Sequence, residues 1–160
     1  MEPYKFNEQN EIGKIGEGKV IDYFTNVKNR FVEDVREDPH YQKRGIDIIV
    51  DGLTKIEVKT DTTNTPNFFF ETISSSKYNT VGCFLSTESD WIAYLKQSKL
   101  YLIETIYLKG FYHTNQSKLK LVQIVKECAD GRGNDIGIGA LINISVAEKA
   151  LYKHIFSVQI

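Results

Sequence analysis

Gly45-Ile46-Asp47-Ile48-Ile49-Val50-Asp51-Gly52-Leu53-Thr54-Lys55-Ile56-Glu57-Val58-Lys59-Thr60 is the stretch on which the reading of this chain turns. Gly45 to Val50 is dense in β-branched residues and predicts a strand. Asp51-Gly52 is a turn signal, and Lys55 to Thr60 is then the return strand of a hairpin. Side chains two apart on a strand share a face, so Glu57 and Lys59 project together while Ile56 and Val58 point the other way, into a core. A turn around Asp51-Gly52 sets Asp47 opposite Glu57 or Val58, where directly opposed Cβ atoms are roughly 5 Å apart. Asp47 and Glu57 thus converge inside an apolar hairpin. Like charges that close repel unless a divalent cation sits between them.

Mg²⁺ suits such a pair, because it is a hard ion that takes oxygen ligands and keeps several waters. A divalent cation lowers the pKa of water and neutralises phosphate, which is what phosphodiester hydrolysis needs. A lysine two residues from a carboxylate ligand can orient the attacking water or hold the phosphate as a point charge. The plainer alternative is that Glu57 and Lys59 form an exposed ion pair on one strand face. Ile46, Ile48, Ile49, Ile56 and Val58 around the acids argue against exposure.

Upstream of the hairpin, Asn10 to Val27 reads as a helix with Ile12, Ile15, Val20, Tyr23, Phe24 and Val27 along one stripe. Glu17 lies close to that stripe, flanked by Gly16 and Gly18, which let another element approach. It is a candidate third acid for the metal site. Phe31 to Val35 predicts a strand, and Lys43 and Arg44 precede the Asp47 strand, placed to position phosphate. Downstream, Phe68 to Ile73 reads as a strand, Ser74 to Thr80 as a loop and Gly82 to Leu85 as a short strand. Thr87 or Ser89 can cap a helix running to about Gln97, with Trp91, Ile92 and Leu95 as its apolar face. Tyr101 to Ile103 and Leu119 to Val125 are further strands. Asp130 to Gly139 holds four glycines and reads as a mobile loop. A short strand and a helix follow, from Ala140 to Ile155. The expectation is an α/β fold, a mixed β-sheet flanked by helices, in one domain over residues 1–160.

Composition narrows the classes less than the hairpin does. Hydrophobic residues make up 41% and charged residues 26% of 160 residues, and the net charge is −1. That balance neither advertises nor excludes a nucleic-acid partner. No apolar run approaches the ~20 residues of a membrane helix, and the first residues lack the apolar core of a signal peptide. A cytoplasmic protein without a membrane partner is expected. Cys83 and Cys128 lack the companions a zinc site needs. Gly13 to Val20 nearly matches a phosphate-binding loop, but Val20 supplies no hydroxyl for Mg²⁺ and no apolar strand precedes it. Gly131-Arg132-Gly133 is no dinucleotide fingerprint and reads as a surface loop. His40, His113 and His154 have no partners that would suggest a triad. Trp91 and the Phe68–Phe70 run could stack on bases, although core packing is the better reading.

Gly45-Ile46-Asp47, followed by Glu57-Val58-Lys59 and preceded by a helical Glu17, resembles the PD-(D/E)xK nuclease superfamily. Ile46 stands where the family name has proline. The resemblance covers roughly residues 11–103, with Asp61, Asn67 to Glu71 and Ser86 to Trp91 similar to phage-type members and the last third unmatched. It implies a restriction-endonuclease-like αβββαβ core. It also implies Asp47, Glu57 and the Val58 carbonyl as metal ligands, Lys59 as the catalytic lysine and Glu17 as the helix acid. The cofactor would be Mg²⁺, for which Mn²⁺ can substitute, and the substrate DNA. The implied activity is that of an endonuclease, phage-type or structure-specific (junction-resolving). Thr60, Asn67 and Glu71, with Lys43 and Arg44, would lie near the nucleic acid. Junction-resolving and restriction members work as dimers, so a homodimer is among the expectations. The competing readings are a DNA-binding module that kept this fold without catalysis, and an interaction protein whose hairpin acids hold structural calcium.

Overall fold

A computed structural model describes residues 6–127 and 134–160. The elements run as helix α1 (Phe6–Asp22), strand β1 (Val32–Asp34), helix α2 (Pro39–Gln42), and strands β2 (Ile48–Val50), β3 (Thr54–Asp61), β4 (Asn67–Ser75) and β5 (Thr80–Val81). After these come helix α3 (Cys83–Ser86), strands β6 (Trp91–Lys96) and β7 (Lys99–Glu104), and helix α4 (Thr105–Asn115). Strands β8 (Lys120–Glu127) and β9 (Asn134–Asn143), helix α5 (Ile144–Ala150) and strand β10 (Ile155–Gln159) complete the order. The class is α/β with mixed strand directions, as expected.

The single sheet of the sequence reading is, in the structure, two. One has the order β1-β2-β3-β6-β7-β10 and the other β5-β4-β9-β8. In the first, β2 and β3 form the anticipated hairpin with Ile48 opposite Ile56, and β6 lies parallel to β3 with Ile92 beside Glu57 and Tyr94 beside Lys59. The two faces of this sheet bury different cores. On one face Ile48, Val50, Ile56, Val58, Ala93, Leu95 and Leu100 pack against Val20 of α1 and Tyr23 just after it. The other face carries Ile92, Tyr94, Tyr101 and Ile103, which meet Phe68, Phe70, Ala140 and Ile142 of the second sheet together with α3, α4 and α5. Glu57 and Lys59, out of phase with Ile56 and Val58, belong to this second face.

Several elements differ from expectation, each for a readable reason. Residues 91–96 are a strand, not a helix capped by Thr87 or Ser89. Ile92 to Lys96 are all buried, so the strand lacks alternation and its apolar residues mimic a helical face. Gly82 to Leu85 holds a helical turn rather than a strand, with Gly82 so close to β4 that a Cβ there would lie 2.3 Å from the Glu71 carbonyl oxygen. The expected loop from Ser74 begins two residues later, at Ser76, and ends in β5. Of the expected mobile loop, residues 134–139 are strand β9, where Ile136 and Ile138 alternate with Gly137 and Gly139. Asp130 to Gly133 and Cys128 lie outside the described residues. Helix α4 escaped the sequence reading because Ile106 and Tyr107 are exposed on it and Gly110 interrupts it, which blurs the helical stripe. The first helix ends near its expected limit, its last turn widening to π geometry over Tyr23–Val27.

Candidate active site

The loop that leads into β2 fixes the first acid. Gly45 adopts φ +62°, a left-handed conformation that favours glycine, and a side chain there would collide with Thr87. The Thr87 hydroxyl donates to the Gly45 carbonyl at 2.9 Å, and the Glu88 amide donates to the Arg44 carbonyl at 2.8 Å. Asp47 is then held from both sides: its amide donates to the Ile56 carbonyl at 2.9 Å, and its Oδ2 accepts from the Val58 amide at 2.6 Å. Burial pushes the Asp47 carboxyl up to about 6, against the Val58 hydrogen bond and the Lys59 charge, while Glu57 and Glu17 add to the rise.

Glu57 is 2% exposed. Its Oε1 accepts from Lys59 Nζ at 2.5 Å, while its Oε2 is buried without any hydrogen-bond partner. A buried ionised oxygen with no partner costs several kcal/mol in an apolar setting, so this atom is a vacancy in the polar accounting that a cation can fill. Burial alone would lower the Lys59 pKa, but Glu57 outweighs it and holds the ammonium above its ordinary value. Paired with Glu57, Lys59 is thus held as a charged donor. The ladder itself ends at Ile48 opposite Ile56; beyond it the Asp47 amide still reaches the Ile56 carbonyl and its carboxylate the Val58 amide, so Asp47 lies alongside the Ile56–Val58 stretch of β3.

Glu17 stands apart from this pair. Its Oε2 is bound by Arg36 Nη1 at 2.8 Å, and the same guanidinium binds Asp34. Helix α1 packs on the opposite sheet face from Glu57 and Lys59, with Gly16 against Thr60; a Cβ at Gly16 would lie 1.9 Å from the Thr60 hydroxyl oxygen. That oxygen too is buried without a partner. Among the described residues no three His, Cys, Asp or Glu side chains gather as a group that could hold a metal. The nearest donors for a cation are the two carboxylates of Asp47 and Glu57, to which the resemblance adds the Val58 carbonyl. Mg²⁺, which keeps several waters, fits a set that small, and the orphaned Glu57 oxygen is the observation in its favour.

The other candidates divide. Lys59, Thr60 and Glu71 line one cleft of about 520 Å³. Glu71 Oε2 binds Lys126 Nζ at 2.5 Å. Asn67 opens β4 opposite Asn143 and is not among the residues lining the cleft. Lys43 is exposed, and Arg44 is tied to Glu88 at 2.8 Å. Two groups were not assigned to this site from the sequence. Cys83, at the start of α3, feels the charges of Lys59 and Glu57, and burial raises its thiol above the usual range. Lys109 of α4 donates to the carbonyls of Leu85 and Thr87 at 3.1 and 2.7 Å, and its charge is felt by Glu57. Neither spacing nor motif marks these two, because each reaches the site through a tertiary contact. No helix of the described residues is long and apolar enough to cross a membrane. In comparisons with known proteins, no family model, no curated protein and no solved structure matches this chain.

Proposed function

We propose that this chain is a Mg²⁺-dependent nuclease of the PD-(D/E)xK type that hydrolyses DNA phosphodiester bonds. The observation that carries the reading is the buried Glu57 carboxylate, with one oxygen on Lys59 and the other on nothing, beside a half-buried carboxylate at Asp47. Support from the fold is α1, the β1-β2-β3 meander and a β6 that returns parallel to β3, while the helix of the crossover is only the four-residue α3. The β4–β5 strands and α3 lie within the crossover.

A divalent cation bound by Asp47 and Glu57 would supply charge neutralisation at the phosphate and a more acidic water. The chain's own groups do the rest. Asp47, with a pKa of about 6, is mostly ionised at neutral pH and is kept in place by the Val58 amide. Lys59 stays protonated and is aimed by Glu57, so its remaining N–H groups can donate to a phosphoryl oxygen as negative charge grows there. Glu17 has one oxygen on Arg36 and is the helix acid of the resemblance. Glu17 then acts at a distance, by raising the Asp47 pKa.

The test is cleavage of plasmid and branched DNA with Mg²⁺, Mn²⁺ or EDTA, using wild type, Asp47→Asn, Glu57→Gln and Lys59→Ala. Wild type should cut with either metal and not in EDTA. Each variant should lose at least about 100-fold in rate, the scale for removing one transition-state contact. Wild type that binds DNA and cuts none of these substrates would overturn catalysis and leave a binding module of the same fold.

A further inference from the structure

The cleft beside Lys59 is built differently from the acid pair and faces the second sheet. On that sheet Phe68 and Phe70 are in the core, but Phe69, one residue out of phase, turns into the cleft. Its ring lies across Gly139: a Cβ there would stand 1.9 Å from the ring edge. Gly137, two residues earlier on β9, is likewise without a side chain on this face, and Lys126 passes over it. Val122 and Ile124 of β8 and Leu141 of β9 complete an apolar floor. The opposite rim is Thr60 to Thr63 with Thr65. Lys59 stands at one side, and Lys126, paired with Glu71, at another.

A flat aromatic face, an aliphatic floor, hydroxyls on the rim and two ammonium groups within reach are the parts used to hold a nucleotide without sequence preference. Bases stack on aromatic rings while cations follow the phosphates. A base inside a duplex has both faces covered by its neighbours and cannot enter. We propose that this cleft takes an unpaired DNA base next to the phosphate at Lys59, making single-stranded or branched DNA the substrate class. The inference rests on the nuclease reading for the placement of the phosphate, but the base site itself does not require cutting. Phe69 is the specificity-determining residue, and Gly139 is the position that leaves room for its ring.

The test uses the full chain in EDTA, so that no strand is cut. The probe is a short single-stranded DNA carrying one 2-aminopurine, an adenine analogue whose fluorescence falls on stacking. Wild type should quench the probe, and the same oligonucleotide annealed into a blunt duplex should be bound more weakly and without quenching. Phe69→Ala should abolish quenching and weaken binding by about 5- to 100-fold, the range for losing one stacked base. Phe69→Leu, which keeps apolar bulk, should also lose the quench. Gly139→Ala tests the platform through a different residue, with thermal melting as the check that each variant folds. Unchanged quenching in Phe69→Ala, or equal binding to blunt duplex, overturns the inference. Duplex cutting in Mg²⁺ without Phe69-dependent quenching removes the base site and leaves the nuclease standing. Phe69-dependent quenching without cutting of any DNA does the reverse.

Discussion

Strand β3 carries two buried acid–lysine clusters, and they are finished to different degrees. At its centre are Glu57 and Lys59 with Asp47 alongside; at its end is Asp61 with Lys96 of β6. Around Asp61 every oxygen is occupied. Oδ2 accepts from Lys96 Nζ at 2.6 Å and from the Tyr94 hydroxyl at 2.9 Å, and Oδ1 accepts from the Thr63 hydroxyl and amide at 2.6 and 2.8 Å. Burial alone would raise the Asp61 pKa, but Lys96, Thr63 and Tyr94 together hold it below the usual carboxylate value. Asp47, with fewer donors and two acids nearby, goes the other way, to about 6. Glu57 keeps an oxygen with no partner at all. The same residue types on one strand thus serve two purposes. A closed network fixes the fold, whereas an open one holds back its hydrogen-bonding capacity for something that is not part of the chain.

The contrast breaks most visibly at Asp61. Asp61→Ala leaves Lys96, 7% exposed, as a buried charge without its carboxylate. Stranding one member of a buried pair costs about 3–5 kcal/mol, and urea unfolding at neutral pH should show a loss of that size. A loss below about 1 kcal/mol would mean that Lys96 finds water, and that the closed network is not what holds this end of β3.

The open cluster should respond with the opposite sign. Asp47→Asn removes a charge that the fold disfavours. An asparagine can still accept from the Val58 amide, so without divalent metal the variant should gain about 2–3 kcal/mol at neutral pH. That figure follows from a pKa displaced from 3.8 to about 6 at ~1.4 kcal/mol per unit. The sign fixes the pH window. The folded pKa lies above the unfolded one, so this group favours the folded state most below about 4 and loses that contribution as pH rises through 6. Asp61, held below its ordinary value, does the reverse, its contribution fading only as the solution becomes strongly acidic. Metal-free wild type should therefore lose stability between about pH 4 and 6, and Asp47→Asn should not. Parallel curves for the two proteins would remove the claim that Asp47 is under strain.

How much of this was legible in the sequence follows the range of the interactions. The hairpin and the shared face of Glu57 and Lys59 are local, set by period-2 alternation and an Asp-Gly turn, and both are seen in the structure, while Asp47 lies just beyond the end of the ladder. Strand β6 was misread because a strand buried on both faces loses its period, so Trp91, Ile92 and Leu95 fit a helical stripe equally well. The glycines of β9 suggested mobility, although their alternation with Ile136 and Ile138 was a strand signal, and they are bare so that Phe69 and Lys126 can lie over them. The capture of Glu17 by Arg36 could not be foreseen, since it joins positions 19 residues apart across an irregular connection. Lys109 was invisible for the same reason, being brought in by a helix that had not been recognised.

Lys109 gives the next sharpening. It bonds the Leu85 and Thr87 carbonyls, Thr87 holds the Gly45 carbonyl, and Gly45 leads to Asp47. A closed network beside the acids thus aims an open one. Lys109→Met should cost about 1–2 kcal/mol, the scale of losing donors to buried carbonyls. It should also reduce the thermal stabilisation given by Mn²⁺, while Lys109→Arg restores both in part. A fall in stability with the Mn²⁺ response intact would make Lys109 a structural residue only.

The smallest expected effect comes from the link between the closed cluster and the cleft. The Tyr94 hydroxyl donates to Asp61 Oδ2 and accepts from the Phe69 amide at 3.0 Å, so one oxygen joins the network that fixes β3 to the backbone that carries the cleft's aromatic ring. Tyr94→Phe keeps the ring packed against Phe68 and Phe70 and removes only that oxygen. Asp61 retains Lys96 and Thr63, so the cost should be about 1 kcal/mol, the net value of an ordinary hydrogen bond. If the two clusters are independent, the effects of Tyr94→Phe and Asp47→Asn should add within about 0.5 kcal/mol in the double variant. A larger coupling energy would show that the closed network tensions the open one through β3, and the division of that strand into a fixed end and a poised centre would have to be redrawn.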